Sequence, residues 1–233
     1  MPVLSELTSR LAAVDRRVTA AAERAGRTRS AVTVVAVSKR FGADVVRSAL
    51  RAGHTDFGES RAQELRRKAA SVGGVRWHFV GRLQRNKVSD VVGLVSLVHS
   101  VDRLELAEAI AAQVRAGGTG TGTATPDQRV LVQVNAGDDP RKGGCRVGDA
   151  AALVAGVREL DGLACEGLMT VPPMGEDPRP VFARLRGLRD DLRARFPEVV
   201  QLSMGMTDDF EVAIEEGATI VRVGEAIFGP RPA

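Results

Sequence analysis

Tyrosine is absent from this chain of 233 residues, and apart from His its aromatic side chains are seven Phe and one Trp. A core without large rings must come from Val, Leu, Ile and Ala: β-branched residues for buried strands, Ala and Leu for helices covering them. Cysteine is scarce too. Cys145 and Cys165 stand at neither metal-ligand nor redox spacing, and two are too few for a disulfide scaffold. No apolar run approaches the roughly 18 residues that a membrane span needs. The first turns carry Glu6, Arg10, Asp15, Arg16 and Arg17, unlike a signal peptide. A cytoplasmic, reducing location with no membrane contact is expected. An excess of one charge sign is nearly missing as well. The 33 basic residues face 29 acidic ones, and no Lys/Arg block is interleaved with aromatics, so the pI of 9.7 does not point to nucleic acid. Lysine is the last scarcity: 29 of the basic residues are Arg and only Lys39, Lys68, Lys87 and Lys142 are Lys. GC-rich codons explain the Arg. A Lys kept against that bias marks a place where guanidinium does not serve, as where an amine must lose its proton and attack a carbonyl.

What is present fits one large α/β domain spanning residues 1–233, with 44% apolar residues. Leu4, Leu7, Leu11, Val14 and Val18 recur at helical spacing and predict an amphipathic helix ending before Gly26. The run Val32 to Val37 reads as a first strand. Seven further β-like runs follow: Thr55 to Gly58, Val75 to Val80, Leu94 to Val101, Arg129 to Asn135, Ala164 to Val171, Val200 to Gly205 and Thr219 to Gly224. Helical patterns separate them. Ser60 and Gln63 read as a capping box, Asp102 as a cap for Arg103 to Ala116, and Pro178 as the first turn of a helix to Phe196. Asp208 and Asp209 complement the start of a helix ending at Gly217. Eight strands alternating with helices predict a single TIM-like (β/α)₈ barrel with an extra N-terminal helix; an open doubly wound sheet is the alternative. Gly117 to Thr125 reads as a flexible surface loop.

Barrel sites form at the C-terminal ends of strands. That rule selects Lys39, Gly58-Glu59, Gly81, Asn135, Thr170, Ser203 with Gly205, and Arg222 with Gly224 and Glu225. The last two groups follow strands seven and eight, where barrels commonly bind phosphate. Glu225 to Phe228 would be the short extra helix, and Ser203 would add a hydroxyl. Lys39 is expected across the barrel mouth from that phosphate site. A strand-end Lys beside a phosphate cradle suits a class I aldolase or a pyridoxal phosphate site, and Arg222 favours the second as a partner for the ring nitrogen. His78 alternates with Trp77 and Phe79 and reads as interior. Asn86 and Lys87 follow that strand within reach of the mouth, and Lys87 is the rival amine. His54 and His99 have no partner at metal spacing, and no metal site is expected.

Several segments, in order, carry a resemblance: VAVSK (35–39), FGESRAQE (57–64), WHFVGRLQRNK (77–87), HSVD (99–102), GLMTVPP (167–173), LSMGMTDDFEVAIEEGATIVRVG (202–224) and IFG (227–229). Together they closely resemble the YggS/PROSC family of pyridoxal phosphate homeostasis proteins. The resemblance implies a fold-type III barrel like the N-terminal part of alanine racemase, without its C-terminal β domain. It implies pyridoxal 5′-phosphate as a Schiff base on Lys39, phosphate at Ser203 and the backbone near Gly224 and Glu225, and Arg222 at the ring nitrogen. It also implies a buffering or delivery role without committed catalysis, with apo forms of pyridoxal phosphate-dependent enzymes as recipients. The chain is expected to act as a monomer. Ser60 and Thr207 stand where the family usually has Asn and Ser. An amino-acid racemase is the competing function. It needs a second acid–base group facing Lys39, which in alanine racemase is Tyr, and this chain has none.

Overall fold

The computed structural model describes residues 4–117 and 127–230. Among them, eight strands form: β1 (Thr33–Val37), β2 (Asp56–Glu59), β3 (Arg76–Phe79), β4 (Leu97–Val101), β5 (Gln128–Gln133), β6 (Leu163–Met169), β7 (Gln201–Ser203) and β8 (Ile220–Val223). Each lies on one of the eight β-like runs. All pair in parallel, and β1 pairs with β8, so the sheet closes into a barrel and the open-sheet alternative is excluded. The helices are α1 (Leu4–Arg24), α2 (Ala43–Arg51), α3 (Ala62–Ala69), α4 (Leu104–Gly117), α5 (Ala150–Arg158), α6 (Arg179–Arg193), α7 (Phe210–Glu215) and α8 (Glu225–Phe228). The low-complexity stretch lies, beyond Gly117, outside the described residues.

Strand alternation divides the apolar residues into two cores. Val34, Ala36, Phe57, Trp77, Phe79, Val98, Val130, Val132, Leu168, Val221 and Val223 face the helices. Val35, Leu97, Leu131, Met169 and Ile220 form a separate small cluster that fills the lumen, as barrel interiors are filled by side-chain layers. α1 docks through Leu7, Val14, Val18, Ala21 and Ala22, all buried, and ends before Gly26, whose φ of +64° suits glycine. Arg17 then reaches Glu211 at 2.8 Å, and Arg24 reaches Glu215 at 2.9 Å, so the first helix is strapped to α7.

Two local expectations need correction. The Ser60–Gln63 capping box does not form, because the chain stays extended through Arg61, which takes the N-cap position of α3 without a side-chain cap. Ser60 is held at the strand end by Gly81: a Cβ there would lie 2.2 Å from the Ser60 carbonyl oxygen. Second, closure makes β8 the hydrogen-bonded neighbour of β1, with Val35 level with Arg222 and Ala36 with Val223. The ends of these strands therefore lie side by side, and Lys39 is beside the Gly224 segment instead of across the mouth from it.

Candidate functional site

Register decides which strand-end residues share the lumen. His78 is level with Leu97, and Ser203 with Ile220, both lumen residues. His99 and Arg222 follow those two lumen positions by two residues, so alternation aims all four inward. They connect. Arg222 Nη1 donates to Ser203 Oγ at 2.8 Å and Nη2 to the Thr170 carbonyl at 2.9 Å. Ser203 Oγ lies 2.8 Å from His99 Nδ1, and His99 Nε2 lies 3.0 Å from His78 Nδ1. His78 Nε2 is 3.3 Å from Asp56 Oδ1, at the far end of the barrel. Asp56 is held well below the usual carboxylate range, where its bonds to His78 and Arg76 outweigh the opposing effect of burial. Arg222 is a buried cation that no carboxylate joins in an ion pair among the described residues, and burial pushes its pKa down to about 10.

Lys39 follows β1 and is half-buried. The chain turns sharply just after it. Arg40 has a φ of +69°, in the left-handed region that costs a non-glycine residue energy. A buried cluster behind the turn holds it. Glu64 accepts the Arg40 amide at 2.7 Å. Lys68 Nζ, buried on α3, donates to Glu64 at 2.9 Å, to Glu59 at 2.6 Å and to the Ser38 carbonyl at 2.7 Å. Ser38 Oγ donates to Glu59 Oε1 at 2.5 Å, while Glu59 Oε2 is buried without a partner. Burial raises the Glu59 pKa above its ordinary value, against the pull of Lys68. Residues on both sides of Lys39 are thus anchored from outside the barrel. A cavity of about 420 Å³, lined by Arg40, Phe41, Arg61, Arg67 and Lys68 among others, opens on this helix side of the turn.

The remaining sequence candidates distribute as follows. Ser203 is completely buried, its hydroxyl already engaged by Arg222 and His99. Gly205, next on the same segment, has a φ of +91°, and a Cβ on it would lie 2.6 Å from Ala213 Cβ. Its carbonyl accepts the Arg222 amide at 2.9 Å, which sets the 205–207 and 222–224 segments side by side on the rim. Thr207, half-buried there, makes no protein hydrogen bond among the described residues. Gly224 packs against β1, where a Cβ would lie 3.2 Å from the Val37 carbonyl oxygen. Glu225 opens α8 and is exposed. Asn86 stands exposed on a 3₁₀ segment, Arg85–Asp90, and Lys87 on the same segment pairs with Asp90 at 3.7 Å. Asn135 is used locally, bracing its own loop through Asp139. Glu59 was selected from sequence only as a strand-end residue and His99 only as a strand-end His without a metal partner, while Asp56, Glu64 and Lys68 were given no place in the site. The Lys scarcity was the available signal for Lys68, and the Glu64–Lys68 spacing of four for its ion pair.

The chain matches the model of the alanine racemase N-terminal domain family over residues 9–232. It is 42% identical over 228 residues to the pyridoxal phosphate homeostasis protein of Aquifex aeolicus, covering 95% of this chain and 97% of that one. This chain belongs to the pyridoxal phosphate homeostasis protein family. Within the family, the structure of PipY from Synechococcus elongatus with pyridoxal phosphate bound superposes with a TM-score of 0.80 at 30% identity, covering 96% of this chain and all of that one. Alanine racemase from Clostridium difficile shares the fold at a TM-score of 0.72 and 13% identity, covering 87% of this chain but 53% of the racemase. The homeostasis family thus has the racemase's barrel. Among the described residues no helix is long and apolar enough to cross a membrane, and no group of three or more His, Cys, Asp or Glu could hold a metal ion.

Proposed function

We propose that this chain binds pyridoxal 5′-phosphate at the C-terminal mouth of the barrel and buffers or delivers it inside the cell as a monomer, without committed turnover. One observation carries the reading: Lys39 follows β1 at the mouth, and Arg222, level with Val35 on the neighbouring strand β8, is a buried cation four residues deeper with no direct ion pair among the described residues. When bound, the cofactor would supply an aldehyde for Schiff-base formation with the Lys39 amine and a ring nitrogen able to accept a hydrogen bond. Arg222 suits that nitrogen. Two of its nitrogens are tied back to Ser203 and Thr170, and a guanidinium has five N–H donors. Residues 205–207 and 222–225 suit the phosphate. Gly224 leaves its backbone uncovered, and Thr207 offers a hydroxyl that is not otherwise engaged. Ser203 would have to give up His99 or Arg222 to contribute. The deciding experiment is an absorbance spectrum of the purified chain with and without added cofactor; a yellow band that appears on addition supports the reading, and its absence rejects it.

The phosphate cradle makes a separate prediction. Pyridoxal without its phosphate should bind far more weakly than the phosphorylated form. Thr207→Val should cost about 1.5–3 kcal/mol of cofactor affinity, the range for a hydrogen bond to a charged group. Isothermal titration of both vitamers checks this, and equal affinities would mean that the cradle is elsewhere.

Carrier and racemase are separated by proton exchange. The thiols supply no second base: burial pushes Cys165 up to about 12 and Cys145 up to about 11. Burial also holds His99 well below its usual pKa, and both its nitrogens are engaged. The loaded protein with L- or D-alanine in deuterated water should show no sustained deuterium incorporation at the α-carbon and no loss of optical purity. Multiple turnovers by NMR and chiral chromatography, absent from Lys39→Ala, would establish a racemase instead.

A further inference from the structure

The polar residues of the lumen sit in a core otherwise filled by Val35, Leu97, Leu131, Met169 and Ile220. Their proton positions follow from donor and acceptor chemistry alone. A guanidinium can only donate, so Ser203 Oγ accepts from Arg222 Nη1. The hydroxyl's own proton then needs an acceptor, and His99 Nδ1 at 2.8 Å is the one in contact. If His99 donated instead, Ser203 would receive two donors and its proton would be stranded in a fully buried site, a costly state. His99 is neutral, since burial above all, with the neighbouring Arg222, holds its pKa well below the ordinary value. With Nδ1 accepting, its single proton is on Nε2, facing His78 Nδ1. His78 must then carry its proton on Nε2, facing the carboxylate of Asp56. Each link is satisfied in this direction, and running the line the other way strands the buried Ser203 proton without an acceptor.

We infer that His78 and His99 are positioning residues, forming with Ser203 a one-way hydrogen-bond line that fixes Arg222 and ties it to Asp56 at the opposite end of the barrel. The line rests on the reading of Arg222 as the partner of the cofactor ring and explains how a buried cation with no direct ion pair among the described residues keeps one orientation. Four oriented links separate Arg222 from Asp56, which is itself paired with Arg76, and the N–H groups not used by Ser203 and Thr170 remain for a ligand.

The direct test is long-range proton–nitrogen correlation on the ¹⁵N-histidine-labelled full chain without cofactor, near pH 7. His78 and His99 should both be neutral with the proton on Nε2. A proton on Nδ1 of either ring overturns the line. A functional test uses two substitutions at one position. His99→Gln keeps an acceptor for Ser203 and a donor for His78, whereas His99→Leu keeps neither. His99→Leu should raise the cofactor Kd on the order of tenfold and move the visible absorption maximum; His99→Gln should stay within about threefold of the parent. Equal effects of the two substitutions overturn the line. If His99→Leu does not fold, the tautomers decide alone. A parent protein with the expected tautomers but no cofactor band would support the line and reject the functional reading.

Discussion

Lys39→Ala is expected to abolish covalent capture of pyridoxal phosphate outright, with complete loss of the visible band. None of the other lysines follows a strand that neighbours β8. Lys68 Nζ is committed to Glu59, Glu64 and the Ser38 carbonyl behind the barrel wall. Lys87 pairs with Asp90, and Lys142 lies on the segment after β5. Lys39→Arg should fail equally, because a guanidinium stays protonated and is a poor nucleophile. Borohydride reduction of the loaded protein followed by peptide mapping should place the adduct on Lys39. An adduct on Lys87, or a band that survives in Lys39→Ala, would refute the assignment.

Lys68→Met should destabilise the fold by about 3–5 kcal/mol, the range for removing one member of a buried ion pair and stranding the other. Here two carboxylates would be stranded, Glu59 and Glu64, and the Glu59 carboxylate already has one oxygen without a partner. The pH dependence has a definite sign. Burial raises the folded-state pKa of Glu59 above its unfolded value, so the folded form binds the proton more tightly. Stability therefore falls as pH rises through that window and recovers as pH is lowered. Loss of the ammonium removes an interaction that lowers this pKa, so the dependence should steepen in Lys68→Met. Urea denaturation across mildly acidic and neutral pH measures both effects, and Lys68→Met with Glu59→Gln should regain much of the loss. A variant as stable as the parent at neutral pH would show that the cluster is not held together by charge. Because Glu64 also holds the Arg40 amide, a folded Lys68→Met protein should capture the cofactor more slowly.

The barrel was legible because strands such as β1 and β8 read as short Val- and Ile-rich runs, while β2 (DFGE) showed itself only as a short β-like stretch between helical patterns. Lys39 and Arg222 were legible from their places at strand ends. The arrangement between strands was not. Periodicity gives no closure, so the adjacency of β1 and β8, which moves Lys39 next to Gly224, had to come from the fold. Register is equally invisible: His78, His99 and Ser203 meet because three strands are staggered by particular amounts, and nothing local to each residue records the stagger. Ser203 shows the consequence. As a strand-end hydroxyl it reads as a phosphate ligand, yet its register turns it into the lumen, and Thr207 is the hydroxyl left on the rim. Glu59 was placed correctly at a strand end, but its parity sends the side chain outward to Lys68, away from the mouth.

The β1–β8 seam and the α1 strap also set an order in time. Arg17 and Glu211 are 194 positions apart, and Arg24 and Glu215 are 191 apart, so these contacts join the beginning of the chain to its end. A growing polypeptide emerges from the ribosome N-terminus first. Lys39 is therefore made early, while Arg222 arrives on β8, the last strand. Until then the Val-rich edge of β1 has no partner on that side and is open to mispairing with other chains. On the proposed function, pyridoxal phosphate, an aldehyde open to attack by any exposed amine, would meet a complete mouth only after β8 has paired with β1.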